Sequence, residues 1–127
     1  MNINKFTQSS MAAVQNLEKI AADYGNQEIE QEHLLYTLLT QEDSLILKLI
    51  EKMEINKDYF IDTVKKALDA KVKVSGGELR FGQYLNKALV NAEDEAKAMG
   101  DEYVSVEHLF LALLKYPSPS MKKIWSE

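Results

Sequence analysis

Several features that would define a function are missing from this sequence. The 127 residues include no cysteine, which excludes a disulfide framework, a thiol nucleophile and a thiolate metal site. Asp and Glu outnumber Lys and Arg by 20 to 15, and no basic cluster of the kind that binds phosphate backbones is present. The apolar runs are too short to cross a membrane, and the N-terminus lacks the apolar stretch of a signal peptide. We therefore expect a cytoplasmic protein that binds neither nucleic acid nor membranes.

Helix-breaking residues are also scarce, with 2 Pro and 5 Gly. Between them, apolar residues recur every three or four positions, the spacing of an amphipathic helix. The first seventy residues predict four helices. The first runs from Phe6 to Tyr24 and ends at Gly25, the third is capped by Asp43 or Ser44, and the fourth begins after a cap. That last cap is assigned to the side chain of Asn56.

Residues 71–78 alternate polar with β-branched positions and end in the pair Gly76-Gly77, which favours a linker. A second group of helices follows it. One closes at Gly100, another begins at Ser105, and the last opens at the Pro-Ser-Pro-Ser turn of residues 117–120.

An internal repeat explains this order. A shift of 75 residues aligns Phe6 with Phe81 and Gly25 with Gly100, without a gap. The same shift superimposes the tripeptide Glu-His-Leu at residues 32–34 on its second occurrence at residues 107–109. Two copies of one helical unit predict an all-α domain with pseudo-twofold symmetry.

The repeat also defines the predicted organisation of the chain. Residues 1–70 form the first unit, residues 71–78 the linker and residues 79–127 the second unit, and together they make one domain. The fourth helix of the first unit has no counterpart, because the position equivalent to Asn56 would be residue 131. We interpret the second copy as incomplete and the chain as the front piece of a longer protein.

The repeated Glu-His-Leu tripeptide has two interpretations. Each His with its neighbouring Glu would form an acid/base pair or half of a metal site, or each pair would occupy the first turn of a helix, where a carboxylate meets free N–H groups. Adjacent side chains on a helix diverge by about 100°, which favours the second interpretation. The zinc-protease spacing is absent too, since Thr37 and Ala112 stand where a second His would be needed.

No other pattern indicates chemistry. The glycines lack the Gly-Lys-Ser/Thr ending of a phosphate-binding loop, and no serine lies in a Gly-x-Ser-x-Gly turn. We predict no catalytic, cofactor-binding or metal-binding residue. Methionines and tyrosines either line an adaptable groove or fill the core, and the core is the favoured interpretation. These residues are Met11, Met99, Met121, Tyr84, Tyr103 and Tyr116.

The doubled pattern resembles the N-terminal domain of the Clp family of AAA+ unfoldases. The resemblance rests on a glycine that ends the first long helix, a bridge with Ile29 or Val104, and then Glu-His-Leu and Leu-Leu, repeated at 75 residues. It covers essentially the whole chain. The bridge of residues 25–30 and the string of residues 100–109 are most similar to the disaggregase branch of the family.

This resemblance implies a client-binding domain without catalysis of its own. Its clients are exposed apolar segments of misfolded or aggregated protein, and the residues that match the family's client-engaging positions are Thr7, Leu89, Asp101 and Glu107. ATP and Mg would bind in ATPase domains beyond Glu127, in a parent that is a hexamer, while the fragment is a monomer. The alternative that the resemblance leaves open is a domain that docks an adaptor or co-chaperone for a Clp protease.

Overall fold

Helices make up most of the computed structural model, which describes residues 3–126. Residues 1, 2 and 127, which the predicted units include, lie outside the described residues. A short 3₁₀ helix, Ile3–Lys5, precedes the α-helices, so the predicted all-α class is confirmed. The α-helices in chain order are α1 (Gln8–Gln15), α2 (Leu17–Asp23), α3 (Gln31–Thr40), α4 (Leu45–Lys52), α5 (Lys57–Asp69), α6 (Gln83–Ala98), α7 (Val106–Lys115) and α8 (Pro119–Trp125).

The 75-residue repeat is reproduced in the helix boundaries. Helix α7 begins and ends 75 residues after α3, and α6 spans the positions equivalent to the start of α1 and the end of α2. Gly25 and Gly100 follow these helices with φ of +70° and +72°, a left-handed conformation that glycine adopts without a steric penalty. The two copies therefore share the boundaries of their first helical segment and of the helix that follows the bridge.

The prediction of one helix from Phe6 to Tyr24 is wrong in two respects. Phe6 is extended, and the helix begins after Thr7, whose side chain accepts a hydrogen bond from the Ser10 backbone N–H at 3.2 Å. The helix is then divided at Asn16, whose N–H is shared between the carbonyls of Ala12 and Ala13. This sharing tightens the turn and separates α1 from α2.

The side-chain caps predicted for α4 and α5 are confirmed. Ser44 accepts from the N–H of Leu47 at 3.0 Å, and Asn56 accepts from the N–H of Tyr59 at 3.0 Å. Asp43, the alternative cap, instead takes a left-handed conformation with φ of +53°. These caps satisfy N–H groups that the first turn of a helix leaves without partners.

The two copies are joined by crossed strand pairs. Strand β1 (Glu28–Ile29), in the bridge of the first copy, pairs in parallel with β2 (Arg80–Phe81), at the start of the second. At the equivalent place Phe6, at the start of the first copy, pairs with Val104 in the bridge of the second. Each copy thus supplies a strand to the bridge of the other.

The backbone hydrogen bonds of these crossings are short and repeat the same geometry. Val104 accepts from the N–H of Thr7 at 3.0 Å, and Ile29 accepts from the N–H of Gly82 at 2.8 Å. Ile29 is 1% exposed and Val104 is 3% exposed, so unpaired backbone groups here would be buried at a cost of about 1–3 kcal/mol each. The crossings are therefore part of the core.

Helices α3 and α7 lie at the centre of the core. Helix α3 contacts α5, α2, α4 and α7, while α6 packs along α7, and α1 also packs against α7. Side chains of both copies are fully buried in one cluster, so the apolar faces of each unit are covered partly by its twin. Fully buried examples from α2, α3, α4, α6 and α7 are Leu17, Leu34, Leu38, Ile50, Leu85, Leu89 and Leu109.

Residues 70–79, between α5 and β2, contain no helix or strand, but hydrogen bonds attach them to the rest of the domain. Val74 donates its N–H to Gly25 at 2.9 Å, and the Asn26 side chain donates to the Val72 carbonyl at 3.1 Å. The segment thus lies along the first bridge. Within residues 3–126, no helix is long and apolar enough to cross a membrane.

The crossed pairs predict that neither unit folds alone. We expect a polypeptide of residues 1–70 to lack a cooperative thermal transition, because Val104, β2 and the covering helix α7 are all removed. Circular dichroism at 222 nm during heating measures this, with the 127-residue chain as control. A sharp, cooperative transition in the 1–70 fragment would contradict the prediction.

Candidate functional site

His33 joins the start of α3 to the end of α2. Its Nδ1 accepts the backbone N–H of Glu30 at 2.8 Å, and its Nε2 lies 3.0 Å from the side-chain oxygen of Asn26. Because the Glu30 N–H donates to Nδ1, that nitrogen is unprotonated and Nε2 carries the hydrogen that Asn26 accepts. We call this arrangement the first latch.

His108 makes the same arrangement in the second copy, which we call the second latch. Its Nδ1 accepts the backbone N–H of Ser105 at 2.9 Å, and its Nε2 lies 2.8 Å from a carboxylate oxygen of Asp101. Asp101 is the 75-residue counterpart of Asn26. Both latches therefore fix the bridge between a glycine-terminated helix and the helix that follows.

These contacts confirm the helix-start interpretation of the Glu-His-Leu tripeptides. Each His is the third residue of its helix and reaches back to the residue that caps it. The sequence reasoning missed the contact to the preceding helix. The signal was present, since an acceptor side chain stands seven residues before each His, at Asn26 and Asp101. Among the described residues, no cluster of His, Cys, Asp or Glu could hold a metal ion.

The environment of His33 opposes its protonation. Burial, and after it the nearby positive charge of Lys71, lower the pKa of His33 from 6.5 to about 4. The negative charge of Glu32 acts in the opposite direction but more weakly. His33 is consequently neutral at physiological pH, as its hydrogen bond with the Glu30 N–H requires.

The glutamates beside the two histidines differ sharply. Glu32 is 1% exposed and its carboxylate accepts no hydrogen bond from the described residues, so the expectation that it meets free N–H groups of the helix is wrong. Lys71 compensates its charge from 3.2 Å. Glu107, its counterpart, is exposed to solvent. One position of the repeat thus supplies a buried ion pair in one copy and a surface carboxylate in the other.

A pocket of about 240 Å³ lies at the seam between the copies, and it brings two of the four predicted client residues together. Thr7 enters it from the start of α1 and Glu107 from the first turn of α7. Leu45 and Val106 add apolar surface. The full lining is Thr7, Ser9, Gln41, Glu42, Asp43, Leu45, Ser105, Val106 and Glu107, which includes three carboxylates and no basic side chain. This pocket, the seam pocket, favours ligands that are apolar and positively charged.

The other two predicted client residues lie outside the seam pocket. Leu89 is 1% exposed and belongs to the core, in helix α6, which packs against α7. Asp101 is on the surface, but its carboxylate is held by His108 in the second latch. Leu89 is therefore a core residue, and Asp101 has a structural role in the second latch.

Most of the methionines and tyrosines that were predicted to fill the core lie on the surface. Met121 is fully buried and Met11 is partly buried. The remaining four are exposed on separate elements, so the core interpretation is wrong for them. They are Tyr84 at 39%, Met99 at 60%, Tyr103 at 50% and Tyr116 at 44% exposure.

The duplicated helices, the crossed bridges and the paired latches define a class of protein, an all-helical domain built from two copies of one unit. The model of the Clp repeat (R) N-terminal domain family matches residues 5–127. The chain belongs to this family, and the resemblance seen in the sequence is confirmed.

Relatives with known names agree with this assignment. The chain is 36% identical over 126 residues to the chaperone protein ClpB of Nitratidesulfovibrio vulgaris, covering 95% of this chain and 15% of that protein. It is 40% identical over 114 residues to the chaperone protein ClpB of Porphyromonas gingivalis, covering 90% and 13%. The chain thus spans about one-seventh of the length of these relatives.

Solved structures share the fold at lower identity. The Hsp104 N-terminal domain from Candida albicans superposes with a TM-score of 0.86 at 21% identity, covering 96% of this chain and 80% of that one. The N-terminal domain of the ClpV1 ATPase of E. coli gives a TM-score of 0.83 at 20% identity, covering 98% and 79%. The all-α duplicated architecture is therefore that of known Clp-type N-terminal domains.

The first latch predicts a pH dependence of stability. His33 takes up a proton near pH 6.5 in the unfolded chain but only near pH 4 in the folded chain. The stabilisation that depends on neutral His33 is therefore complete above pH 6.5 and is lost as the pH falls to 4. The expected loss is about 3 kcal/mol in the free energy of unfolding. Urea unfolding at pH 7, 5.5 and 4.5 measures it. A His33→Gln variant should lose less over the same range, and an equal loss would refute the assignment to His33.

The second latch predicts that Asp101 stabilises the fold because its side-chain oxygen accepts a hydrogen bond from His108, and not because it is charged. Asp101→Ala should lower the free energy of unfolding by about 1–2 kcal/mol, because the buried Nε2–H of His108 loses its acceptor. Asp101→Asn should cost less than half as much, since Asn26 fills the same role in the first latch. Chemical denaturation of both variants measures this, and equal losses would contradict it.

Proposed function

We propose that this chain is the client-binding N-terminal domain of an ATP-dependent protein disaggregase and that it engages exposed apolar segments of misfolded or aggregated protein. The observation that carries the proposal is the seam pocket, where Thr7 and Glu107 meet although they are 100 residues apart in sequence. The named ClpB relatives support the chaperone class.

The chemistry of the seam pocket fits an unfolded chain better than a specific small molecule. Leu45 and Val106 offer apolar contact, while Glu42, Asp43 and Glu107 surround it with negative charge. An unfolded segment offers both apolar side chains and the ammonium or guanidinium groups of Lys and Arg. The pocket is small, so it accommodates one or two side chains at a time and binds weakly. Weak binding suits a domain that passes its client onward.

The parent protein would supply the remaining activity. Since the chain spans about one-seventh of its ClpB relatives, we infer that ATP and Mg bind in ATPase domains outside this chain and that the parent works as a cytoplasmic hexamer. In this proposal the fragment itself performs no catalysis and acts as a monomer. Its contribution is to present the seam pocket to clients.

Client binding is tested by NMR titration with an unstructured peptide rich in Leu and Lys. The amide resonances of Thr7, Ser105 and Glu107 should shift, and Glu107→Gln should weaken the affinity about three- to tenfold through loss of one charge. Glu78→Gln, an exposed residue of the linker, is the matched control and should bind as the unaltered chain does. A peptide with Gln in place of Lys should bind more weakly as well.

Two results would overturn this proposal. One is a saturating concentration of the peptide that leaves the seam-pocket resonances in place. The other is binding of a folded adaptor at that pocket while unfolded peptides fail to bind, which would instead indicate the docking domain of a Clp protease.

A further inference from the structure

The buried carboxylate of Glu32 is the least well satisfied polar group that the structure describes. Neither oxygen has a hydrogen-bond partner in the described part of the chain, and the residue is 1% exposed. A buried carboxylate costs several kcal/mol unless an opposite charge compensates it. The ammonium group of Lys71, at 3.2 Å, is that opposite charge.

Lys71 belongs to a segment that lies over the first bridge, residues 71–74, which we call the strap. Its ammonium group also donates to Glu30 at 3.0 Å, and its side chain is only 13% exposed. Beyond it, Val74 and Val72 form the backbone contacts with Gly25 and Asn26 already described. Lys71 is thus the one strap side chain that reaches the buried carboxylate among the contacts described.

Two cavities have Lys71 of the strap in their walls. One, of about 610 Å³, lies between α5 and α8 and has Glu32 in its wall, together with Lys71. The other, of about 410 Å³, lies beside the first bridge and has Asn26 and Glu30 in its wall, again together with Lys71. Since Lys71 lines both cavities, movement of its side chain would connect them.

The first latch adjoins this ion pair. Besides the Asn26 side chain, the groups that act on the His33 ring are the Glu30 backbone and the Glu32 carboxylate from the start of α3, and the ammonium groups of Lys71 and Lys73 from the strap. The two lysines oppose a positive charge on His33, whereas Glu32 favours one. Withdrawal of the Lys71 ammonium would therefore remove one of the two positive charges that oppose a charge on His33.

We propose that the strap is a gate that Lys71 holds shut over Glu32, and that its opening connects the two cavities, withdraws the Lys71 ammonium from Glu30 and Glu32, and lets His33 take up a proton. Opening then loosens the first latch, because a protonated His33 no longer accepts the Glu30 N–H. In the second copy Glu107 is already exposed. The gate makes the first copy the switchable one, and this inference does not depend on the proposed client function.

The test compares Lys71→Met with Lys73→Met in the 127-residue chain. Both variants remove one strap ammonium, but that of Lys73 contacts the Tyr24 carbonyl and ring rather than Glu32. Amide hydrogen exchange of Val74 and NMR titration of His33 are the readouts. In Lys71→Met, exchange at Val74 should accelerate about tenfold or more while the amides of Leu89 and Leu109 keep their protection, and His33 should titrate closer to pH 6.5. In Lys73→Met, the exchange rate at Val74 should change by less than about twofold, and the titration midpoint of His33 should move by less than about 0.5 pH units.

The gate is refuted if Lys71→Met leaves Val74 exchange and the His33 titration unchanged. It is also refuted if Val74 and the core amides lose protection to the same extent, since the strap would then open only with the whole domain. Should Lys71→Met fail to fold, the double variant Glu32→Gln with Lys71→Met removes both buried charges together. Faster exchange at Val74 in that folded variant supports the gate, and unchanged exchange overturns it.

Discussion

The crossed strand pairs between the two copies are the constraint on which the rest of the structure depends. Phe6 completes the second bridge and Phe81 completes the first, so each bridge exists only when both copies are folded. The latches need those bridges, because Asn26 and Asp101 are held at a fixed distance from the histidines that they contact. The seam pocket follows too, since the crossing that pairs Phe6 with Val104 places Thr7 beside the start of α7.

Within this symmetric frame, a few substitutions between the copies give the two halves different properties. At equivalent positions the first latch uses the amide of Asn26 and the second uses a carboxylate. Glu32 is sealed by Lys71, whereas Glu107 faces solvent at the seam pocket. The two copies share the geometry of their latches. They differ in charge and burial, so that the first copy buries its glutamate against Lys71 and the second presents its glutamate to solvent. The repeated unit thus sets the common backbone arrangement, and single-residue differences between the copies set which glutamate is buried and which is exposed.

Local patterns predicted the local structure well. Helical periodicity, the glycines after α2 and α6, and caps such as Ser44 and Asn56 depend on neighbours within a few residues, and the repeat showed that two regions share them. The crossings depend instead on pairing between strands of two residues, for which no sequence signal is strong enough. The same limit applies to the site, because Lys71 resembled an ordinary linker residue until its contact with Glu32 was seen. For Leu89, helical spacing indicated an inward-facing position, which its burial confirms, and only the family resemblance suggested contact with clients.

Cooperativity between the copies is the central claim, and the amide hydrogen exchange of the crossing residues tests it most directly. The N–H of Thr7 bonds across to Val104 and that of Gly82 bonds across to Ile29. Measured at increasing denaturant, both amides should exchange with the free energy and denaturant dependence of global unfolding. If either amide exchanges through an opening of much lower free energy while the helices of both copies stay protected, the copies are independent units and the account is wrong.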